Sequence, residues 1–319
     1  MSTIFSAPTK ESATPGSLKR ELCAILGCYP AKGRIMLTTS LLRLLPVLLL
    51  VLAQGVTASA QTLSGKYSTG HIESHQIPAP VAISVYTPPG YDPDRIAPYP
   101  LLIQLHGGGG SNKNLESMAV LLEQAITTGL IEPVVSVMPS AGRSFYMDFK
   151  DGSEKWETFI TQDLLAYMRD NYNVVPSREG TLITGISMGG MGAIRIAFKH
   201  PDKFEAVAGM EPGIEPSLDF KGLRLRDTFW RAPSLFAEIY GDPVDEAYWA
   251  ANNPATIAAQ DPGRLSDLSI YIEAGDQDMF FLHHGTEFLH RILFDAGVSH
   301  EYRLVKGAEH VGPSIGARF

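Results

Sequence analysis

Five runs of strand length are almost continuously apolar: "PLLIQLHG" (100–107), "PVVSVMPS" (133–140), "TLITGIS" (181–187), "FEAVAGME" (204–211) and "LSIYIEAG" (268–275). A strand with one wet face alternates, whereas these runs need cover on both faces, as in a parallel sheet. Between them Trp156, Phe159, Ile160, Leu164, Tyr167 and Met168 recur at helical spacing. Leu115 to Thr128 fits a second helix, and "EFLHRILFDAG" (287–297) closes on Gly297 as a C-cap. Strands alternating with helices predict an α/β fold with a mostly parallel, doubly wound sheet. "IPAPVAISVYTPPGY" (77–91) has strand composition ahead of the first crossover and predicts antiparallel strands at the edge. Residues 212–265 break the rhythm, carrying Phe220, Phe229, Trp230, Phe236, Tyr240, Tyr248 and Trp249 without a period. They predict an insertion over the C-terminal edge of the sheet, whose aromatics suit either the core or an acyl or sugar pocket.

No repeat or low-complexity linker interrupts residues 61–319, which are read as one catalytic domain. Residues 1–60 differ. "LLPVLLLVLA" (44–53) follows Arg43 and precedes "QGVTASA", whose Ala58-Ser59-Ala60 has the small-x-small form of a signal-peptidase cut. A membrane span needs about 20 apolar residues, and Pro46 would kink a core helix, so the segment reads as a secretory signal. From Met36 it has ordinary proportions, which makes Met36 the expected start, Gln61 the expected mature N-terminus and the periplasm or medium the expected location. Cys23 and Cys28 both precede Met36, leaving a mature chain without disulfides or cysteine ligands. The cut removes six basic and two acidic residues, leaving 20 basic against 32 acidic, a net charge of −12. With no basic run, such a chain is not expected to bind nucleic acid, nor to stay in a membrane once the signal is cut.

The chemistry centres on "TLITGISMGGMGA" (181–193). Gly185-Ile186-Ser187-Met188-Gly189 has the form of a nucleophile elbow, in which a strand turns sharply into a helix and presents a serine at the top of the sheet. The pentapeptide alone is weak, but an apolar run precedes it and a helical stretch follows it to Pro201, the context the motif requires. At the end of another strand, "LHGGGGSN" can turn the backbone N–H groups of Gly107 and Gly108 toward a developing oxyanion, with the Met188 N–H as a further donor. His106 is placed to position that loop beside the substrate. The acid and the base should follow the serine in chain order. "EAGDQDMFF" offers Asp276 and Asp278, and "AEHVG" offers His310. An acid that must turn back toward His310 favours Asp278, although a helix-capping role would also suit that residue. HExxH is absent, and no metal or other cofactor is expected.

Taken together, "LHGGGGSN", "YMDFKDGSEKWETFITQDLLAYMRDNYNV", "GISMGGMGAIRIAFKHPDKFEAVAGMEP" and "GVSHEYRLVKGAEH" resemble the putative-esterase family of α/β-hydrolases. Esterase D, feruloyl and acetyl-xylan esterases and the antigen 85 mycolyltransferases belong to it. The resemblance covers about residues 75–312. It implies the α/β-hydrolase fold, acyl-ester chemistry with Ser187 as nucleophile and His310 as base, and an acid three residues after a glycine, as Asp278 follows Gly275. It also implies that "EKWETF" (154–159), with Trp156 and Glu157, builds part of the substrate-binding wall. The expected function is an exported serine esterase for small-molecule or glycan esters, of sugars or phenolic acids, working through an acyl-enzyme. An acyltransferase, or a non-catalytic binding module on the same fold, are the alternatives.

Overall fold

A computed structural model describes residues 63–318, and the expected leader and signal segment lies outside them. The strands are β1 (Lys66–Ile72), β2 (Val81–Thr87), β3 (Leu101–Leu105), β4 (Val135–Pro139), β5 (Thr181–Ile186), β6 (Ala206–Met210), β7 (Ser269–Gly275) and β8 (Glu301–Val305). They form one sheet in the order β1-β2-β4-β3-β5-β6-β7-β8. β1 and β2 run antiparallel, as does the β2–β4 pair, and every other pair is parallel. The antiparallel edge foreseen at 77–91 is therefore β2, and β1, whose "KYSTGHI" mixes polar and small residues, extends it.

The helices fill both faces. α1 (Leu115–Thr127) packs beside β2, where Tyr86, Leu115, Ala119, Leu122, Val134 and Met138 form a second, smaller core. A helical stretch runs from Trp156–Thr158 through a π-helical segment, Phe159–Leu164, into α2 (Leu165–Asn171). The central helix, α3 (Met188–Lys199), lies on β5 and β6 and is buried from Met188 through Phe198. Close approach needs small residues at the contact: a Cβ on Gly209 of β6 would sit 2.4 Å from Ile194 Cδ1 of α3.

One residue of this helix is charged and wholly buried. Arg195 donates to the carbonyl oxygens of Phe145 (3.1 Å) and Tyr146, two consecutive residues held at φ 54° and 57°. Such values are costly for aromatic residues, so the buried guanidinium steadies a strained turn.

The 212–265 segment folds as α4 (Leu225–Thr228), α5 (Pro233–Tyr240), α6 (Glu246–Ala251) and α7 (Pro254–Gln260) between β6 and β7. Its aromatics divide. Phe236, Tyr240 and Trp249 are core, whereas Trp230 lines a pocket and Phe229 stays about half exposed. α8 (Leu282–Asp295) begins earlier than its periodicity suggests and ends before Gly297 at φ 72°, the expected left-handed cap. α9 (Ile315–Arg318) follows β8. Among the described residues no helix is long and apolar enough to cross a membrane.

Candidate active site

Ser187 sits between β5 and α3 at φ 58°, ψ −119°. That backbone is strained for a residue with a side chain, and its neighbours two positions away leave no room for one. A Cβ on Gly185 would lie 2.3 Å from the Gly189 carbonyl oxygen, and one on Gly189 would lie 2.0 Å from that of Leu105. Hydrogen bonds fix the turn from both sides: the Ser187 N–H donates to Met210 O at 2.9 Å, and the Gly213 N–H donates to Ser187 O at 3.1 Å. The glycines thus let strand, turn and helix crowd together until the serine has one direction left, toward a pocket of about 290 Å³.

His310 comes to the same pocket from the loop after β8, and Asp278 from the loop after β7. The Ser187 Oγ–H points to His310 Nε2 at 3.0 Å, and His310 Nδ1–H donates to Asp278 Oδ2 at 2.8 Å. Because the carboxylate can only accept, it fixes the Nδ1–H tautomer and leaves Nε2 to receive the serine proton. The Phe280 N–H donates to Asp278 Oδ1 at 2.6 Å, and the Phe280 ring meets the imidazole edge-on at 4.9 Å. Burial pushes the Asp278 carboxyl up, but the His310 hydrogen bond and charge outweigh it, with help from Glu211 and the Phe280 N–H, and hold the acid below its ordinary range.

Asp276 goes elsewhere. It accepts the Gly307 N–H at 2.6 Å, pinning the turn that leaves β8. Of the two aspartates, only Asp278 therefore touches His310.

Gly107 and Gly108 line the pocket with Ser187 and Met188, and a Cβ on Gly107 would stand 3.5 Å from Ser187 Cβ. Met188 is the first residue of α3, so its N–H has no carbonyl within the helix to bond. Phe145, Trp230 and Phe280 add aromatic rings to a wall that Ile186, Leu282 and Val311 also line.

His106 does not reach this pocket. Its Nδ1–H donates to Gly107 O at 2.8 Å, and its Nε2 accepts the Ala141 N–H at 3.0 Å. With both nitrogens committed and the ring buried, it holds the glycine loop from behind and has no group left for a substrate; burial depresses its basicity.

Trp156 and Glu157 are also misplaced by the expectation of a binding wall. Glu157 is buried among Arg195 (3.4 Å), Lys199 (2.9 Å) and His200 (2.8 Å). Lys199 and His200 end the helix that Ser187 begins, about 18 Å away at 1.5 Å per residue. Burial raises the Glu157 carboxyl, but His200, Arg195 and Lys199 pull it down to about 2. Trp156 donates its indole N–H to Glu154 at 2.5 Å and packs edge-on against Phe159. Both residues brace the scaffold, because cations at the end of α3 capture the carboxylate.

Sequence reasoning missed Glu211. It follows β6 directly, is fully buried at φ 45°, and has an oxygen within 4.8 Å of oxygen and nitrogen atoms of Asp278 and His310. Burial, then the neighbouring Asp278, raises its carboxyl to about 8. The only local signal was an acid at the end of an apolar strand, in "AVAGME".

A serine hydrogen-bonded to an imidazole that is itself held by a carboxylate can attack an acyl carbon. Known proteins of similar sequence and shape agree with ester chemistry. The diacylglycerol acyltransferase/mycolyltransferase Ag85A of Mycobacterium leprae is 34% identical over 131 residues, 37% of this chain and 38% of that protein. An esterase of Mycobacterium tuberculosis is 29% identical over 164 residues, 49% of this chain and 35% of that one. The chain thus matches well under half the length of these first relatives. Among solved structures, a ferulic acid esterase superposes with a TM-score of 0.65 at 22% identity, covering 81% of this chain and 95% of the other. S-formylglutathione hydrolase from Agrobacterium tumefaciens gives 0.63 at 21%, covering 78% and 90%. The sheet order and these superpositions make the fold that of the α/β-hydrolases. The family model described as putative esterase matches residues 74–314, and the chain belongs to that family.

Proposed function

We propose that this chain is an exported serine esterase that hydrolyses carboxylic esters of sugars or phenolic acids through an acyl-enzyme. The observation that carries the reading is the continuous hydrogen-bonded line Ser187–His310–Asp278, ending at the pocket. Ser187 Oγ attacks the ester carbonyl while His310 Nε2 takes its proton; the carbonyl π electrons move onto oxygen. The N–H groups of Gly107, Gly108 and Met188 face that oxyanion. Collapse of the tetrahedral intermediate breaks the bond to the alcohol, which leaves with the proton from His310. Water then repeats the cycle, with His310 as base and the Ser187 oxygen as leaving group. Asp278 holds the imidazole tautomer and stabilises the imidazolium. Phe145, Trp230 and Phe280 suit an aromatic or sugar substituent.

A transferase, in which an acceptor hydroxyl replaces water in the second step, is the second reading, and the likeness to a mycolyltransferase favours it. The catalytic domain is assigned to residues 61–319, preceded by a cleaved leader.

A fluorophosphonate probe should label Ser187 stoichiometrically, and a panel of acetyl, butyryl, feruloyl and thioester substrates should reveal hydrolysis of oxygen esters. Folded protein that neither labels nor hydrolyses any of them defeats the proposal. New ester as the main product when sugar or alcohol acceptors are added selects the transferase. N-terminal sequencing of exported protein should begin near Gln61, and Met1 retained on it would remove the signal assignment.

A further inference from the structure

The carboxyl group of Glu211 has one oxygen whose bonding is complete and one that meets no donor. Oε1 accepts the Gly275 N–H at 2.7 Å and the Arg318 guanidinium at 2.5 Å. Oε2 is buried and has no hydrogen-bond partner among protein donors. A buried carboxylate oxygen left bare beside a second carboxylate is costly twice over, through lost solvation and through repulsion. Asp278 already uses Oδ2 for His310 and Oδ1 for the Phe280 N–H.

The surrounding charges do not relieve the crowding. Three buried carboxyls, Glu211, Glu273 and Asp278, share Arg318 and His310. Glu273 is satisfied: Arg318 Nε donates to Oε1 at 2.9 Å, and Tyr271 donates its hydroxyl to Oε2 at 2.6 Å. The excess negative charge therefore falls on Glu211 and Asp278. The same atoms could hold a cation only by taking a nitrogen from His310, and both of those are committed to Ser187 and Asp278.

We infer that Glu211 is kept as a neutral carboxylic acid whose Oε2–H donates to Asp278, making it a positioning residue for the triad. This rests on the esterase reading above. The proton stays on Glu211 throughout turnover; its work is to hold the Asp278 carboxylate in place and leave its negative charge available to the imidazolium. A backbone held at φ 45° supports the assignment, since strain is retained where the side chain it aims does something. Burial and the adjacent Asp278, which push this acid to about 8, agree with the geometry.

Infrared spectra of the full chain carrying carboxyl-labelled glutamate test the proton directly. At pH 7 a neutral-acid C=O stretch should be present, disappear in Glu211→Gln and fade as pH rises through about 8. The variant difference matters because Glu215, raised by burial and paired with Arg231, is another buried acid. Kinetics with a soluble ester supply the second arm. Glu211→Gln keeps a donor of the same shape, so kcat should stay within about threefold at pH 7 and lose the wild-type alkaline limb. Glu211→Ala should lower kcat about tenfold with KM unchanged, the scale of one hydrogen bond. Absence of the band, an equal loss in the Gln and Ala variants, or loss of activity to a chelator overturns the inference. Probe labelling of Ser187 separates the two claims: a labelled enzyme without the band removes the role of Glu211, and the band without labelling removes the esterase reading.

Discussion

The two ends of α3 each hold a buried acid, and the two acids have opposite fates. At the far end Glu157 is one carboxylate among Arg195, Lys199 and His200, and it is held down to about 2. Near the Ser187 end Glu211 is one of three carboxyls sharing Arg318 and His310, and it is pushed up to about 8. Burial raises both, so neighbour charge decides the sign. A surplus of cations makes a brace, while a surplus of carboxylates leaves negative charge beside the imidazole that the proposed mechanism makes positive.

That contrast breaks most sharply at the serine. Ser187→Ala should lower kcat by about 10⁴-fold or more, because covalent catalysis is lost while the oxyanion donors remain. Thermal unfolding should be little changed, and activity within tenfold of wild type would remove the reactive end from the comparison. Asp278→Asn comes next, with an expected loss of about 10²–10⁴-fold in kcat. Asp276→Asn, which only loosens the turn after β8, should cost far less, and steady-state kinetics that reverse this order would move the triad acid.

At the bracing end the effect belongs to stability. Glu157→Gln leaves the Arg195 guanidinium buried without its anion and should cost about 3 kcal/mol in denaturant unfolding. The folded fraction should keep nearly normal kcat/KM; a large catalytic loss would mean that the two ends are not separable.

The last effect, no larger than that of the Glu157→Gln substitution, is the pH dependence of stability. Glu157 has a folded value of about 2 against 4.5 ordinarily, so its contribution is present above pH 4.5 and is lost as pH falls through 2, on the order of 3 kcal/mol. Glu211 is the reverse: its raised value favours the protonated fold, and stability is lost as pH rises from 4.5 through 8. Unfolding measured across pH should show both slopes, the acid one flattened in Glu157→Gln and the alkaline one in Glu211→Gln. A slope unchanged by its own substitution would detach that acid from the comparison.

The legibility of the site in the sequence follows the same division. The surroundings of Ser187 are local: strand, strained turn and helix are consecutive, and the glycines that permit them carry the pattern. Asp276 and Asp278 lie two residues apart, and whether one faces His310 or the β8 turn depends on how two distant loops meet. Glu157 looked like part of the pocket because segment order says nothing of which end of α3 it reaches. Glu211 was missed for a related reason, as its meaning comes from Asp278 and Arg318, far away in sequence. For the fold, the buried parallel strands announced themselves by unbroken apolarity, whereas β1, an edge strand with one partner, had no need of it.

Arg195 joins the wall of the pocket to the serine. It ties the Phe145–Tyr146 turn to the helix that begins at Ser187, so that part of the pocket wall moves with the serine. Trp230, in the segment between β6 and β7, packs on that same wall, its ring centroid 6.1 Å from that of Phe145, and Arg231 beside it stands 3.8 Å over the Phe145 ring. A change in the Trp230 segment is thus felt at the Phe145 turn and, through Arg195, at the helix that presents Ser187, so substrate preference and serine placement are tied to one another.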